Sequence, residues 1–306
     1  MKTRFHRISI FAETRKPGRE QMARRIVDRL RAEGCEISLS WELRVALGET
    51  PAGCVDQDDW ERFLQTDLVL CIGGDGTILR VAREAAECSN PPCLCGVNAG
   101  RLGFLTAVPD EGLDSFLEDL LRGSHTIQSR ALLRVEHVRG DLPLYNKHVL
   151  NDVVISSSAE VSRMLHLDMR IEGRETVIYG CDGLIFSTPT GSTAHALSAG
   201  GPIVTPTMSA VIVAPICAHT LSNRPLVLSE EETIEVYSPM KDQRIHVVLD
   251  GQLSWSFEQD DSLRMSLSRR RLPLLFGASW NSFAVLKRKL HWCGRMIGDE
   301  WNVRTS

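Results

Sequence analysis

Short apolar runs and amphipathic stretches alternate through the first third of the chain. Ile8 and Ile10 stand between polar neighbours, the two-residue period of a strand. Met22, Ala23, Ile26, Val27 and Leu30 share one helical face, and Gly34 follows as a C-cap. A short strand over Glu36–Ser40, an acidic-start helix around Asp58–Leu64 and a buried strand over Asp67–Ile72 come next. Gly73 and Gly74 close that strand, and Ile78, Leu79, Ala82, Ala85 and Ala86 give the next helical face. Cys93–Val97 reads as one more buried strand, and Leu113, Phe116, Leu117, Leu120 and Leu121 as one more helix. Buried strands alternating with helices predict a parallel sheet covered on both faces, a Rossmann-like α/β arrangement.

Near Thr126 the period changes to two. The runs LLRVEHV, HVLNDVVIS, LHLDMRI, TIEVYS, RIHVVLD and LRMSLS, punctuated by Glu172–Gly173 and Asp250–Gly251, predict an all-β unit of sandwich or prism-like form. The expected organisation is an α/β domain over 1–125, an all-β domain over 126–278, and a segment, 279–306, that returns to the first domain. A Gly-, Ser- and Thr-rich stretch, Ser187–Pro206, interrupts the β pattern and is too long for an ordinary hairpin. Within it, Ser192 or Thr193 is expected to cap a short helix over Thr193–Ala199.

Composition narrows the function classes. With 306 residues, 43% of them apolar, the chain can bury a sizeable core. A net charge of −4 and the lack of a long basic stretch argue against clamping a nucleic-acid backbone. The longest apolar stretch, Ala210–Ala218, is interrupted by Pro215 and falls far short of a bilayer span. The apolar part of the N-terminal segment is too short for a signal peptide. No nucleic-acid or membrane partner and a cytoplasmic location are therefore expected. Nine scattered cysteines do not form a disulfide framework, and no metal-site partner follows the close trio Cys88, Cys93 and Cys95.

The first chemical signal is Gly73-Gly74-Asp75-Gly76-Thr77, where a buried strand passes into a helix. Ligands of open parallel sheets sit outside such strand ends. Glycines allow close backbone approach, and the helix N-terminus suits phosphate. An aspartate would repel a phosphate, but it makes sense as a magnesium ligand or as a base toward an attacking hydroxyl. The loop is neither a Walker A nor a Gly-x-Gly-x-x-Gly sequence. Taken by itself it leaves two readings open, this chemistry or a strand–helix turn whose aspartate caps the helix.

The loop is accompanied by Asn98-Ala-Gly-Arg-Leu-Gly-Phe104, by Asn151-Asp152, by a long Cys181–Val204 stretch containing Thr-Pro-Thr-Gly-Ser-Thr-Ala, by Ala214–Val227, and by Leu249-Asp-Gly-Gln252. This set, in this order and spanning about Arg7 to Leu290, resembles the bacterial-type NAD kinases. The resemblance implies transfer of the γ-phosphoryl group of ATP to the adenosine 2′-hydroxyl of NAD. It implies that Asp75 activates that hydroxyl and that Gly74 and Gly76 bring backbone close to the phosphates. Asn98 and Phe104 resemble dinucleotide-site residues, with Phe104 beside the adenine. Asn151 and Asp152 resemble the pair that holds ribose hydroxyls, and Asp182 the acid near the nicotinamide amide. Thr190, Thr193, Ala194, His195 and Ser198 match pocket positions, and Arg80 and Gln252 complete the expected nucleotide-binding set. The family often has tyrosine where this chain has His195, which offers less stacking area and titrates near neutral pH. Ala196 stands where a polar side chain is common.

The resemblance also implies a divalent cation, magnesium, and a homodimer or homotetramer. Two other readings share the glycine loop: a kinase for a lipid hydroxyl such as that of diacylglycerol, and a non-catalytic dinucleotide sensor. Among weaker features, His219 is expected to be a buried, hydrogen-bonded histidine, and Asp250 either a site residue or a turn former. Arg269, Arg270 and Arg271 are expected at a solvated strand end.

Overall fold

A strand without polar residues needs apolar cover on both faces, and the chain supplies it with helices. The computed structural model describes residues 5–14, 18–49, 59–98, 103–157, 164–220, 223–240 and 243–291. Its first part runs β1 (Arg7–Ala12), α1 (Arg19–Ala32), β2 (Glu36–Leu39), α2 (Trp41–Ala46), α3 (Trp60–Leu64), β3 (Leu68–Gly73), α4 (Asp75–Ala85), β4 (Cys93–Asn98), β5 (Thr106–Val108) and α5 (Leu113–Arg122). The first four strands are parallel, in the order β2-β1-β3-β4. β3 shows why its sequence is apolar throughout. Leu68, Leu70 and Ile72 pack with Met22, Ile26 and Leu30 of α1. Val69 and Cys71 point the other way, into a cluster with Ile78, Val81 and Ala82 of α4.

The second part runs β6 (His125–Arg139), β7 (Leu142–Val149), β8 (Asp152–Ser157), β9 (Leu165–Ile171), β10 (Arg174–Cys181), β11 (Gly183–Ser187), α6 (His195–Ser198), β12 (Ala210–Ile216), β13 (Leu226–Ser229), β14 (Ile234–Tyr237), β15 (Ile245–Leu249), β16 (Leu253–Phe257), β17 (Asp261–Gly277) and α7 (Ser282–Leu290). Six strands form an antiparallel sheet in the order β13-β12-β11-β8-β15-β16. Its inner face, with Val153, Ile155, Phe186, Val213 and Val247, packs on Leu133, Val135, Leu167, Met169 and Leu263. This is a sandwich, but its second sheet is the continuation of the parallel one. β17 pairs antiparallel with β14 and β6 and then lies parallel to β4 at Leu274↔Leu94. One eleven-stranded mixed sheet thus runs from the α/β part into the sandwich.

The arginine triplet is not at a strand end. It falls at a register shift between Leu267 and Arg271, inside β17. Arg270 donates to the carbonyls of Ala86 and Glu87, and Arg271 to the Ser268 carbonyl and Ser209 Oγ. The charges pin the bulge where the sheet changes partners. Beyond β17, Trp280 stacks on Phe276 at 3.9 Å between ring centroids, and Asn281 caps α7 by accepting from the backbone N–H groups of Phe283 and Ala284.

Candidate functional site

Asp75 opens α4, yet its carboxylate does not serve as a helix cap. It reaches across to the chain after β4. There it accepts from the backbone N–H groups of Phe104 at 2.8 Å, Leu105 at 3.0 Å and Thr106 at 3.1 Å, and from Thr106 Oγ1 at 3.3 Å. Oδ1 takes three of these donors and Oδ2 one, so Oδ2 keeps a lone pair for another partner. The side chain is half-buried, as a group that must meet both protein and ligand should be. Arg101 and Leu102, part of the same motif, lie outside the described residues.

A pair of carboxylates, Asp152 and Asp250, lies in the second part of the fold. The run HVLNDVVIS breaks at Leu150–Asn151, between β7 and β8. The break turns the N–H groups of Leu150, Asn151 and Asp152 onto the buried Asp250 carboxylate, at 3.0, 2.7 and 3.1 Å. Asp250 sits in the β15–β16 turn with a φ of 49°, so it is both turn former and site scaffold. Asp152 is 5% exposed, and its carboxylate receives the backbone N–H of His195 at the start of α6. Burial first, and the neighbouring Asp250 second, push the Asp152 carboxyl up to about 7. Burial also raises Asp250, against the pull of its three backbone donors.

That shift has a sign for stability. A carboxyl raised in the folded state binds its proton more tightly there than in the unfolded chain. Its charging therefore destabilises the fold progressively as pH rises from about 4, the unfolded value, through the folded value. Asp152→Asn keeps an acceptor for the His195 N–H and removes the charge. Its melting temperature relative to the parent is expected to be higher at pH 8 than at pH 5, by several degrees. An offset that does not change with pH, measured by differential scanning fluorimetry, would show that Asp152 titrates as an ordinary carboxylate.

Gln252 joins the two halves of the site. Its Nε2 donates to the carbonyl of Gly76 at 2.8 Å, tying the β15–β16 turn to the first turn of α4. The side chain is exposed, so truncation leaves no buried group unpaired. Gln252→Ala is expected to change stability by no more than about 1 kcal/mol. Turnover is expected to fall by about three- to tenfold as the two halves lose register. Steady-state kinetics with thermal melts separates the two effects.

Next to Asp75 a small cavity opens between Phe104, Arg130, Thr190, Thr193, Val204 and Trp280. Three buried polar atoms on its walls, Arg130 Nε, Thr190 Oγ1 and Trp280 Nε1, make no hydrogen bond within the protein. Buried polar atoms without partners point to a ligand that supplies them. Arg130 is 2% exposed, donates to Gln128 Oε1 at 2.8 Å and lies over the rings of Phe276 and Trp280. Lys289 of α7 places its Nζ 4.4 Å from the centroid of Phe104. The sequence reading did not single out Arg130, Trp280 or Lys289. An arginine alternating with apolar residues reads as solvent-facing, and only the three-dimensional arrangement shows it buried.

The remaining expected residues divide. Asn98 is buried at the end of β4, paired in register with Gly73. Thr190 and Thr193 line the cavity, and Ala194, His195 and Ser198 follow on the same stretch, with His195 and Ser198 exposed. The expected helix over Thr193–Ala199 is shorter, a 3-10 turn over Gly191–Thr193 followed by α6. Ser192 is not its cap: its Oγ donates to the Pro189 carbonyl and accepts from the Val204 N–H, a buried tie. Ala196 is fully buried against Val154, Ile185 and Ala214, which leaves no room for a larger polar side chain. Arg80 points away from Asp75, with its guanidinium over Phe11. Asp182 lies apart from the cluster. It precedes β11, whose far end, Ser187, is the one in register with Asp152. Five strand residues separate the two ends, roughly 17 Å. Asp182 is exposed and 3.8 Å from His219, which is likewise exposed rather than buried.

Comparison with known proteins identifies the family. A family model described as ATP-NAD kinase N-terminal domain matches residues 8–125, and one described as ATP-NAD kinase C-terminal domain matches residues 150–275. The NAD kinase of Geotalea daltonii is 36% identical over 286 residues, covering 94% of this chain and 98% of that one. The NAD kinase of Delftia acidovorans is 38% identical over 270 residues, 88% of each chain. The crystal structure of an NAD kinase from Archaeoglobus fulgidus in complex with ATP superposes with a TM-score of 0.70 at 27% identity, covering 93% of this chain and 98% of that one. Yeast NADH kinase complexed with NADH shares the fold, with a TM-score of 0.84 at 20% identity over 99% of this chain and 91% of that one. By sequence over nearly its whole length, and by fold, the chain belongs to the NAD kinase family.

Proposed function

We propose that this chain transfers the terminal phosphoryl group of ATP to the 2′-hydroxyl of the adenosine ribose of NAD, giving NADP and ADP. The observation that carries the reading is the Asp75 carboxylate, held by three backbone N–H groups, two of them from Phe104 and Leu105, which line a cavity whose walls present unpaired polar atoms. In this reading the adenine of NAD enters that cavity beside Phe104 and Thr190. Its ribose reaches Asn151 and Asp152. The 2′-hydroxyl then meets Asp75 Oδ2. As the new P–O bond forms, the hydroxyl proton passes to that oxygen, and the bond from the γ-phosphorus to ADP breaks. The N–H groups that hold Oδ1 keep the acceptor oxygen aimed throughout.

A magnesium ion fits this donor set without a protein cage. Among the described residues no three His, Cys, Asp or Glu side chains converge as a metal site. Magnesium usually keeps waters and phosphate oxygens and takes only one or two carboxylates. In this reading Asp75 Oδ2 is engaged by the hydroxyl proton and Asp250 is covered by backbone donors, so phosphate oxygens and waters would supply most of the ion's ligands. Carried in on ATP, the ion would offset the negative charge of the donor phosphates. The enzyme is further proposed to be cytoplasmic and a homodimer or homotetramer. Exposed apolar residues on two edge strands, Ile178 on β10 and Val227 on β13, fit contacts between copies. Among the described residues no helix is long and apolar enough to cross a membrane.

The test is to incubate the purified protein with magnesium, ATP and NAD and to detect NADP with an NADP-specific dehydrogenase. Diacylglycerol in mixed micelles serves as the competing acceptor. NADP formation is the expected result. Phosphorylation of the lipid without NADP, or dinucleotide binding with turnover on neither acceptor, would overturn the reading.

A further inference from the structure

We propose that the cavity on the outer face of the mixed sheet, at the bulge of β17, binds a small metabolite carrying two or more phosphate groups. The inference goes beyond the kinase reading and does not depend on it.

Strand register assembles the site. Leu267 pairs with Leu133 and Arg271 with Ala131, so Ser268, Arg269 and Arg270 of β17 stand opposite Leu132 alone. Extra residues in a strand bend it and re-aim its side chains. Beside the bulge, Ser266 of β17, Arg134 of β6 and His148 of β7 lie in register across three strands. Their neighbours Leu133, Val135 and Val149 turn into the sandwich core, so this row faces the other way. The row and the bulge, with Asn146 and Leu267, surround a cavity of about 570 Å³. That volume lies within the range of small-molecule sites.

Charge sets the class of ligand. Three arginines and a histidine line the cavity, and no carboxylate among the described residues does. Arg134 is matched by Glu136 at 2.7 Å, and His148 Nδ1 by Glu87 at 3.2 Å. Arg269 and Arg270 have no such partner among the described residues. Arg270 uses Nη1 on the carbonyls of Ala86 and Glu87, which leaves Nη2 to donate. Arg134 uses Nε and Nη2 on Asn146 Oδ1 and Glu136, which leaves Nη1 and the Asn146 amide protons. Two unmatched guanidiniums at one bulge favour an anion with more than one charged group, and their forked donors fit phosphate oxygens. Among the described residues no aromatic side chain lines the cavity, so a nucleobase finds no stacking platform there. The net charge of −4 argues against a polynucleotide backbone.

The site stands apart from Asp75. Arg270 touches the chain just beyond α4, whose first residue is Asp75. Ala86 lies eleven residues after Asp75, roughly 16 Å along the helix axis. A phosphate group held by Arg270 is therefore out of reach of the Asp75 carboxylate and takes no part in the transfer.

The experiment is titration calorimetry of the full chain in metal-free, low-salt buffer, with pyrophosphate and a hexose 1,6-bisphosphate as probes. Arg269→Glu reverses a guanidinium that has no partner to lose, and Arg134→Ala removes one from the row. Two controls accompany them: Arg122→Glu, the same charge change on exposed α5, and Asp75→Asn. The parent is expected to bind at least one probe, one per chain. The Kd is expected to rise at least about tenfold in Arg269→Glu and Arg134→Ala and to stay within about twofold in both controls. Tighter binding of pyrophosphate would mark directly linked phosphates, and tighter binding of the bisphosphate would mark phosphates spaced by a sugar. Either supports the site. No binding of either probe to the parent at millimolar concentration would overturn it. Equal weakening in Arg122→Glu would also overturn it, as a general effect of charge. So would loss in Asp75→Asn with retention in Arg269→Glu, which puts the anion at the Asp75 site. If Arg134→Ala does not fold, Arg269→Glu decides alone.

Discussion

Asp75→Asn is expected to lower kcat for NADP formation by about two to four orders of magnitude, the usual contribution of general-base assistance. That range corresponds to about 2.7 to 5.5 kcal/mol of barrier. Asparagine is nearly isosteric, but it changes two things. Its oxygen can replace Oδ1 and keep the Leu105, Thr106 and Thr106 Oγ1 donors. Its amide nitrogen then takes the place of Oδ2, where it cannot accept the hydroxyl proton. There it also meets the Phe104 N–H, donor against donor. The unpaired N–H costs about 1–3 kcal/mol of local stability. The two consequences are separable. The first appears in kcat alone. The second appears as a lower melting temperature and a modest weakening of NAD binding beside Phe104. Single-turnover NADP formation, with NAD affinity measured by calorimetry, reads both. If kcat stays within fivefold of the parent, the proton goes elsewhere and Asp75 is a structural anchor of the Phe104 loop.

The α/β part was legible because its signals are local. The Asp67–Ile72 run and the Met22–Leu30 face each carry their own period, and the structure places β3 and α1 there within three residues. The glycine loop was legible for the same reason, since strand end, glycines and helix start are contiguous in sequence. What escaped was long-range. Leu274 and Leu94 share no sequence signal, so the sheet that unites the two parts was not visible. Within HVLNDVVIS the paired residues Val149-Leu150 and Asn151-Asp152 interrupt the two-residue period, and Asn151-Asp152 reads as lying between β runs. The break exists because three N–H groups turn to a carboxylate about a hundred residues later. Arg130 escaped as well: its charge suggests solvent, and only the Phe276–Trp280 stack makes a buried position tolerable. Asp182, expected near the nicotinamide amide, lies at the opposite end of β11 from the strand position beside Asp152, a separation that a local motif does not state.

Gly103→Ala is expected to remove at least about 99% of turnover while leaving Asp75 itself unchanged, because a displacement near 1 Å at a reacting group can cost about a hundredfold. A Cβ built at position 103 would overlap Asp75 Oδ1 and Thr106 Oγ1. Gly103 is buried, and its own N–H donates to Thr106 Oγ1, so the backbone has little freedom to retreat. The movable partner is the carboxylate. Pushed off the Leu105 and Thr106 N–H groups, it loses the aim that those groups give Oδ2. A double-variant cycle tests whether the loss runs through this one side chain. If both substitutions act on the Asp75 carboxylate, adding Gly103→Ala to Asp75→Asn lowers kcat no further than Asp75→Asn does alone. If the logarithms of the two losses add, Gly103 supports turnover by another route, such as the shape of the Phe104 wall, and the carboxylate is not the point through which the loop acts.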